Sequence, residues 1–387
     1  MTTVKYTLRR LSGDWKLLVT ILIGFIVATS LIAGAPIYLK SLERQSLETT
    51  IERSSNLFLN IFIDAPDTLL STQDTEDTEK WLADSLQNHV PELQRGRVRH
   101  LKTSTHLVGL PDQPIPNVAG HNRWVSRGYF QYLSNLQNHV DFIDGEMASN
   151  RILTGPQGPL IEAVIGSETA DLFKLQTGNV VTLAPSIGNP NRISVVITGI
   201  IDPTDVSEEY WGYSPSIFLA PPPLEDEVAP EVQANPDEPP LALFITQETM
   251  AEGIGKAYFG TLVHSSWFIF VDKGVLKEWS ISETRSRFKS LQNSLSISMP
   301  RSTLITGIDG MLDKLEHRSF FSSIPLLLLG TIMVITVLYY LSMMVSYLVQ
   351  RREENIALLR SRGANTMQLC RLYALEGLVL TVVAVAI

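Results

Sequence analysis

Apolar and polar positions alternate on two length scales along this chain. Leu17 to Leu39 and Ile324 to Val349 are runs of 23 and 26 residues without a single charge. A helix of about 20 residues crosses the hydrocarbon core of a bilayer, so each run predicts a transmembrane helix. A third apolar run begins near Leu372 and stops at Ile387 after 16 residues, with Glu376 inside it. It reads as the start of a span in a chain that ends within it; the other reading is a short buried helix.

Between the first two runs the periods are shorter. Residues 40–60 place Leu42, Leu47, Ile51 and Phe58 at loosely helical spacing, which predicts a stalk continuing the first span. A polar patch from Ser71 to Glu79 precedes a helix expected at Trp81–His89. Leu160 to Ile165 reads as a strand, with Ser167 as the N-cap and Glu168 in the first turn of a short helix to Lys174. Turns at 177–179 and 188–191 then separate strands at 180–183 and 193–201. Further strands are expected at 241–246 and 267–271, helices near 249–259 and 280–295, and a second stalk at 303–320. Strand, helix, strand, turn, strand is an α+β order. The predicted organisation is therefore a cytoplasmic N-terminus (1–16), a first span (17–39), an α+β extracytoplasmic domain with stalks (40–322), a second span (323–350), a cytoplasmic loop (351–371) and a third span begun (372–387).

Charge supplies the orientation. Lys5, Arg9, Arg10 and Lys16 oppose only Asp14 before the first span, and five arginines oppose Glu353 and Glu354 in residues 350–372. Basic residues close to span ends stay in the cytoplasm. The whole chain carries −9, and since both ends are basic, residues 17–349 carry −14; the acidic stretch between the first two spans is placed outside. The first span has a basic start and Ala33-Gly34-Ala35, both features of a cleaved signal peptide. Its length, and Pro36 just past the would-be cut, favour an uncleaved anchor. The one cysteine, Cys370, falls on the cytoplasmic side, so the outer domain must be held by its own core rather than by disulfides. Residues 221–240 contain seven prolines and six acidic residues and read as an exposed loop.

Catalytic chemistry is sparse. No phosphate-binding GxxxxGK[ST] loop, HExxH, CxxC or GxSxG occurs, so no enzyme activity, bound cofactor or metal is expected on this chain. The seven histidines lack metal-ligand spacing. Asp141, Asp144 and Glu146 around Gly145 read as a turn before a strand, or as a cation site. The cytoplasmic loop is more specific. As a helix, Arg351 to Arg362 would put Ile356, Leu359 and the stem of Arg352 on one side. Glu353 and Glu354 suit its N-terminal end, Arg360 and Arg362 its C-terminal end, and Gly363 its left-handed stop. Asn365, with Gln368 three residues on, can cap the helix that follows.

These residues carry a resemblance. RREENIALLRSRGANTMQLCRLYALEGLVL, residues 351–380, is similar to the loop of FtsX-like ABC permeases of the MacB/LolC type, with its I-A-L-L-R-S-x-G-A core and its E-G-L opening the next span. IEAVIGSETADLFKLQTGNVVTL and ISVVITGIIDPTD, within residues 161–205, resemble the extracytoplasmic core domain of MacB-type permeases. The match is positional only over 60–155 and 205–300, and the 221–240 insertion departs from it. The resemblance implies type VII ABC mechanics, in which a separate ATPase dimer, holding ATP and magnesium, pulls on the loop. It places coupling on Arg351, Arg352, Glu353, Glu354, Ile356, Leu359, Arg360, Arg362 and Gly363. Glu376, at the start of the third span, is expected to pair with a basic residue or to face the helix bundle, because a lipid-facing carboxylate is costly. It implies export or extraction of a lipid-linked, peptide or drug-like substrate from a multi-pass protein of the bacterial cytoplasmic membrane. Expected partners are the ATPase, a second permease copy or half, membrane lipids, and an outer adaptor, lipoprotein carrier or hydrolase; no nucleic acid is expected. Two other functions fit less of the chain: an FtsX-like transmitter that controls a cell-wall hydrolase, and a two-span sensor. A sensor would continue into a cytoplasmic output domain, whereas here the chain turns apolar again about twenty residues after the second span.

Overall fold

The computed structural model describes residues 15–70, 72–116, 125–155, 158–212, 214–223, 238–258 and 260–351, and then 353, 357, 361, 365–367 and 371. Two compact units divide it: Met1–Thr49 with Asp313–Ile387, and Thr50–Leu312.

The first unit is built from two long helices. Helix α1, Trp15–Arg53, contains the whole uncharged run and the stalk as one element, with Pro36 inside it. Proline forfeits one helical hydrogen bond, a modest loss in a 39-residue helix. The last long helix, Ile308–Arg351, has 44 residues. Its window Leu327–Met344 is long and apolar enough to cross a membrane. Most of that window faces outward, with Leu328, Leu329, Ile335 and Tyr339 all exposed. Leu341 is buried, and a Cβ placed on Gly24 of α1 would lie 2.7 Å from its Cδ2.

The second unit begins with helix α2 (Asn56–Leu59), strand β1 (Ile61–Leu69), helix α3 (Thr72–His89) and strand β2 (Gln94–Thr103). Strands β3 (His106–Gly109), β4 (Ser126–Leu133), β5 (Val140–Gly145), β6 (Leu153–Gly155) and β7 (Gly158–Gly166) follow. Next come helix α4 (Ser167–Phe173), strands β8 (Val180–Ala184) and β9 (Ile193–Pro203), helix α5 (Ser216–Leu219) and strand β10 (Leu241–Phe244). After a π-helical turn, Thr249–Ile254, helix α6 (Gly255–Ala257) leads to strand β11 (Leu262–Val271), helices α7 (Lys273–Glu278) and α8 (Ile281–Ser298), strand β12 (Thr303–Ile305) and helix α9 (Ile308–Arg351).

Two sheets in one explain this order. Strands β2-β11-β1-β12 lie side by side, all antiparallel, with α3 after β1 and α8 after β11. This is the split β-α-β arrangement of ferredoxin-like layers. Alternation along the strands fixes its faces. Ile61, Ile63 and Ala65 of β1 and Trp267, Ile269 and Val271 of β11 point to the helix side, where Leu82, Leu86, Phe288, Leu291 and Leu295 complete a core. Everything between β2 and β11 is an insertion. Its strands close a ring: β10 pairs with β7 and β4, and β7-β9-β8-β3-β4 completes the circuit. The ring's interior is an apolar cluster, with Phe130, Ile161, Ile165, Leu183, Val195, Ile197, Leu243 and Met250 fully buried or nearly so.

The coarse expectation of a mixed α and β unit with a large sheet is what the structure has. Several local expectations need correction. Helix α3 begins at Thr72, inside the expected polar patch, and Glu79 at its third turn reaches the sheet, accepting from Trp267 Nε1 at 2.5 Å. Gly166, not Ser167, is the N-cap of α4, and Ser167 turns its hydroxyl onto Asp202. The expected helix at 249–259 is a π-turn followed by a short α-turn; a Cβ on Gly255 would meet the Leu70 carbonyl at 3.0 Å, so the backbones pass closely there. Residues 303–305 are not stalk but edge strand β12, paired with β1. Asp141 and Asp144 lie within strand β5 rather than in a turn before one, exposed and paired to β9. Within the 221–240 loop, residues 224–237 lie outside the described residues.

Candidate functional site

The site with the clearest mechanical design is where α1 enters the second unit and α9 leaves it. The local sequence dictates the break after α1. Ser54 hydrogen-bonds through N and Oγ back to the Thr50 carbonyl (3.0 and 2.8 Å), and Ser55 then caps α2 by accepting from Phe58 N at 3.2 Å. The terminal carbonyl left over at Ser54 is taken by the Lys273 ammonium at 2.7 Å, a cation at a helix C-terminus, as the helix dipole favours. Lys277, one turn along α7, pairs with Glu52 at 2.8 Å and holds that exposed carboxyl below its usual range by hydrogen bonding and charge.

Opposite this segment runs the start of α9. Gly307 N donates to the Phe58 carbonyl at 3.0 Å, and Thr306 Oγ1 to the Leu59 carbonyl at 3.4 Å. Thr306 Oγ1 also accepts from Ile308 N at 3.3 Å, which caps α9. Asn60 then ties the junction to the sheet and the insertion. Its Oδ1 accepts from Val271 N at 3.0 Å, and its Nδ2 donates to Glu209 at 2.8 Å. Arg95 of β2 binds the other oxygen of Glu209.

An apolar groove of about 460 Å³ opens beside the junction, on the face of the split β-α-β layer opposite α3 and α8. The register places Ile305, Phe62 and Phe268 in one row across β12, β1 and β11, and the rings of Phe62 and Phe268 are 4.8 Å apart. Phe58 and Ile305 are exposed at its rim. Gly212 (φ +69°) forms its floor, where a Cβ would lie 2.7 Å from the Phe268 ring. Among the described residues that line the groove there is no histidine, cysteine or acidic side chain. Its walls include the two segments that connect the long helices to the sheet, residues 55–60 and 305–307.

Most residues singled out for coupling cannot be placed. Arg352, Glu354, Ile356, Leu359, Arg360, Arg362 and Gly363 lie outside the described residues, as does Glu376. Arg351 ends α9, Glu353 is helical and exposed, and Asn365 is non-helical just before helical Thr366 and Met367. Among the described residues no cluster of three or more His, Cys, Asp or Glu side chains is placed to hold a metal ion. Ser54, Lys273 and Gly307 were not singled out by the sequence, and Phe58 only as an apolar position of the stalk. The signal for the break was present, since Ser54-Ser55-Asn56 before Leu57 is an N-cap sequence inside what otherwise reads as one stalk.

No family model matches this chain, and no curated protein matches it. Among solved structures, the periplasmic region of MacB from Actinobacillus actinomycetemcomitans is similar at a TM-score of 0.32 and 10% identity, covering 69% of this chain and 98% of that one. A likeness at that level assigns neither fold nor activity.

Proposed function

We propose that this chain is the permease subunit of an ABC transporter, and that it transmits the stroke of a separate ATPase dimer to the Thr50–Leu312 unit outside the membrane. One observation carries the reading. Two long helices, one containing a span-length apolar window, join the same antiparallel layer at neighbouring strands, α1 through α2 into β1 and β12 directly into α9. An axial shift of one helix against the other is then a shear between β1 and β12. The sequence of residues 351–380 supports the cytoplasmic end of the lever. The outward-facing leucines and isoleucines of α9 support the membrane, since apolar surface of that extent is stable in lipid and costly in water.

In this reading the N-terminus and the 351–371 loop face the cytoplasm of a bacterium, and residues 40–322 face outside. A second permease copy or half completes the assembly. The cargo class is a lipid-linked, peptide or drug-like molecule that is moved outside the bilayer rather than hydrolysed.

Affinity purification of the full chain from its own cells tests the proposal. An ABC-type ATPase should co-purify, and Leu359→Asp should release it without changing the melting temperature of the Thr50–Leu312 unit. Absence of any such ATPase, or retention of it by the variant, overturns the assignment. Topology is tested separately on a Cys370→Ala background. A cysteine at exposed Val206 should react with an impermeant maleimide in intact cells, and one at Ser361 should not.

A further inference from the structure

Strand β5 is a sheet edge. Among the described residues it pairs with β9 alone, so its other side carries no strand. Its six residues rise about 20 Å at the usual 3.4 Å or so per residue. Val140 is buried, while Asp141, Phe142, Ile143, Asp144 and Gly145 are all exposed. Such an edge presents unpaired backbone N–H and C=O groups, a ready template for another chain.

The register sorts its side chains by face. Asp141 stands opposite Asp202, and Asp144 opposite Ile200, two positions apart on β9. Both carboxylates therefore fall on one face of the sheet. It is the outer face, since Ile200 and Asp202 are half-buried whereas Ile201 between them is buried. Phe142 is paired with Ile201 on the other face, where a Cβ on Gly199 would lie 3.2 Å from its ring. Ile143 is the extra residue of a bulge between Phe142 and Asp144, and it is 59% exposed. Gly145, at φ +76°, then turns the chain against the Thr198 carbonyl, which accepts from Glu146 N at 2.9 Å.

The charge on this edge has one sign. Among the described residues neither Asp141 nor Asp144 has an ion-pair partner, and Asp202 is met by the Ser167 hydroxyl rather than by a cation. Like charges directly opposite each other destabilise a strand pair, and Asp141 against Asp202 is such a pair. Charges and bulges are the usual means of keeping an edge from indiscriminate pairing. Charges of a single sign do so selectively. A second copy laid antiparallel on β5 would bring two more carboxylates to the same face, and is disfavoured. A strand with lysine or arginine at alternate positions would neutralise Asp141 and Asp144 on that face. Its intervening apolar side chains would then lie beside Phe142 on the other.

We infer that β5 is a docking edge for a partner protein, which adds an extended segment of alternating basic and apolar residues as a further strand. Main-chain hydrogen bonds supply the affinity and the acidic face selects the partner. The edge belongs wholly to the Thr50–Leu312 unit, and its use does not require the long helices to cross a membrane.

Fluorescent peptides of sequence TKVKVKT and TEVEVET, titrated onto the full chain in phosphatidylcholine nanodiscs, test this. The lysine peptide should bind saturably and the glutamate peptide should not. Methylating the backbone nitrogens of the lysine peptide removes its main-chain donors and should weaken it by about tenfold. Asp141→Lys with Asp144→Lys should weaken the unmethylated lysine peptide by about as much and admit the glutamate peptide. If neither peptide binds the unaltered chain, if both bind it alike, or if the methylated peptide binds as tightly as its parent, the inference is overturned. Ile143→Cys on a Cys370→Ala background should give no disulfide-linked dimer. Ready formation of one would assign the edge to a second copy and overturn the inference as well. Should the double lysine variant fail to fold, the methylated and unmethylated peptides on the unaltered chain decide alone.

Discussion

Gly307 and Phe58 meet backbone to backbone. Gly307 N donates to the Phe58 carbonyl at 3.0 Å, and a Cβ on Gly307 would stand 2.5 Å from that oxygen and from the Phe58 ring. The ring can rotate away, but the carbonyl is fixed by the hydrogen bond itself. Gly307→Ala should therefore force apart the two segments that carry the long helices. Overpacking of this kind costs about 1–3 kcal/mol, read as a lower unfolding midpoint of the Thr50–Leu312 unit in the full chain. A midpoint within error of the unaltered protein would mean that the junction yields freely, and would remove its claim to be stiff.

The two lysines of α7 make unequal contributions. Lys273 Nζ donates to the Ser54 carbonyl at 2.7 Å, a charge-assisted bond to a helix-end acceptor that has no other helical partner. Lys277 binds Glu52, whose side chain is 65% exposed and screened by solvent. Lys273→Met should cost about 1–2 kcal/mol and speed hydrogen exchange in residues 54–60. Lys277→Met should leave both unchanged. Equal effects from the two substitutions would show that the junction is held by general charge and not by the carbonyl contact.

Residues with strong local signals were legible from the sequence alone. The strand-helix-strand-turn-strand run from β7 to β9 follows from β-branched alternation, Gly178 at φ +88° and Gly188 at φ +76°, and its boundaries fall within three residues of those expected. The uncharged runs in α1 and α9 announce themselves. What failed was long-range. Strands β2, β3 and β4 carry Arg97, Arg99, His106, Arg127 and Gln131 at buried or half-buried positions, so their composition reads as polar connection rather than sheet. Strand β12 has three residues and exists only because β1 lies beside it. The junction was invisible for the same reason: Phe58 and Gly307 are 249 positions apart, and neither is unusual in its own neighbourhood.

Two histidines predict a pH dependence. Burial lowers His106 to about 4 and His100 to about 3, with the Gln131 hydrogen bond opposing the shift at His100. Both fall below the value of 6.5 expected of an unfolded chain, so the unfolded state binds more protons in the window between. Stability is then full above pH 6.5 and falls as the pH drops toward the folded values. Between pH 7 and pH 5 His106 alone should remove about 2 kcal/mol. His100 keeps part of its surface open, so its share is set no higher than that of His106. Urea midpoints across this window should slope downward with acid, and His106→Asn should flatten the slope. A slope untouched by that variant would show that His106 is not held neutral.

Glu79 answers a buried cation, a half-buried one and an indole at once. Its carboxylate lies 3.1 Å from Arg97 Nη2, 3.2 Å from Arg99 Nε and 2.5 Å from Trp267 Nε1, and Arg99 sits over the Trp267 ring at 5.7 Å. Nη1 of both arginines is already buried without a hydrogen-bond partner among the described residues, so little else nearby can take over from the carboxylate. Glu79→Gln keeps the shape and deletes the charge. Breaking a buried ion pair costs about 3–5 kcal/mol, and the partial exposure of Glu79 lowers the expectation to roughly 2–3 kcal/mol. The control is Glu79→Gln with Arg97→Met, which removes one of the stranded cations and should recover part of the loss. If the double variant is as unstable as the sum of the two single changes, Arg97 and Glu79 do not act together, and α3 is held to the sheet by its leucines alone.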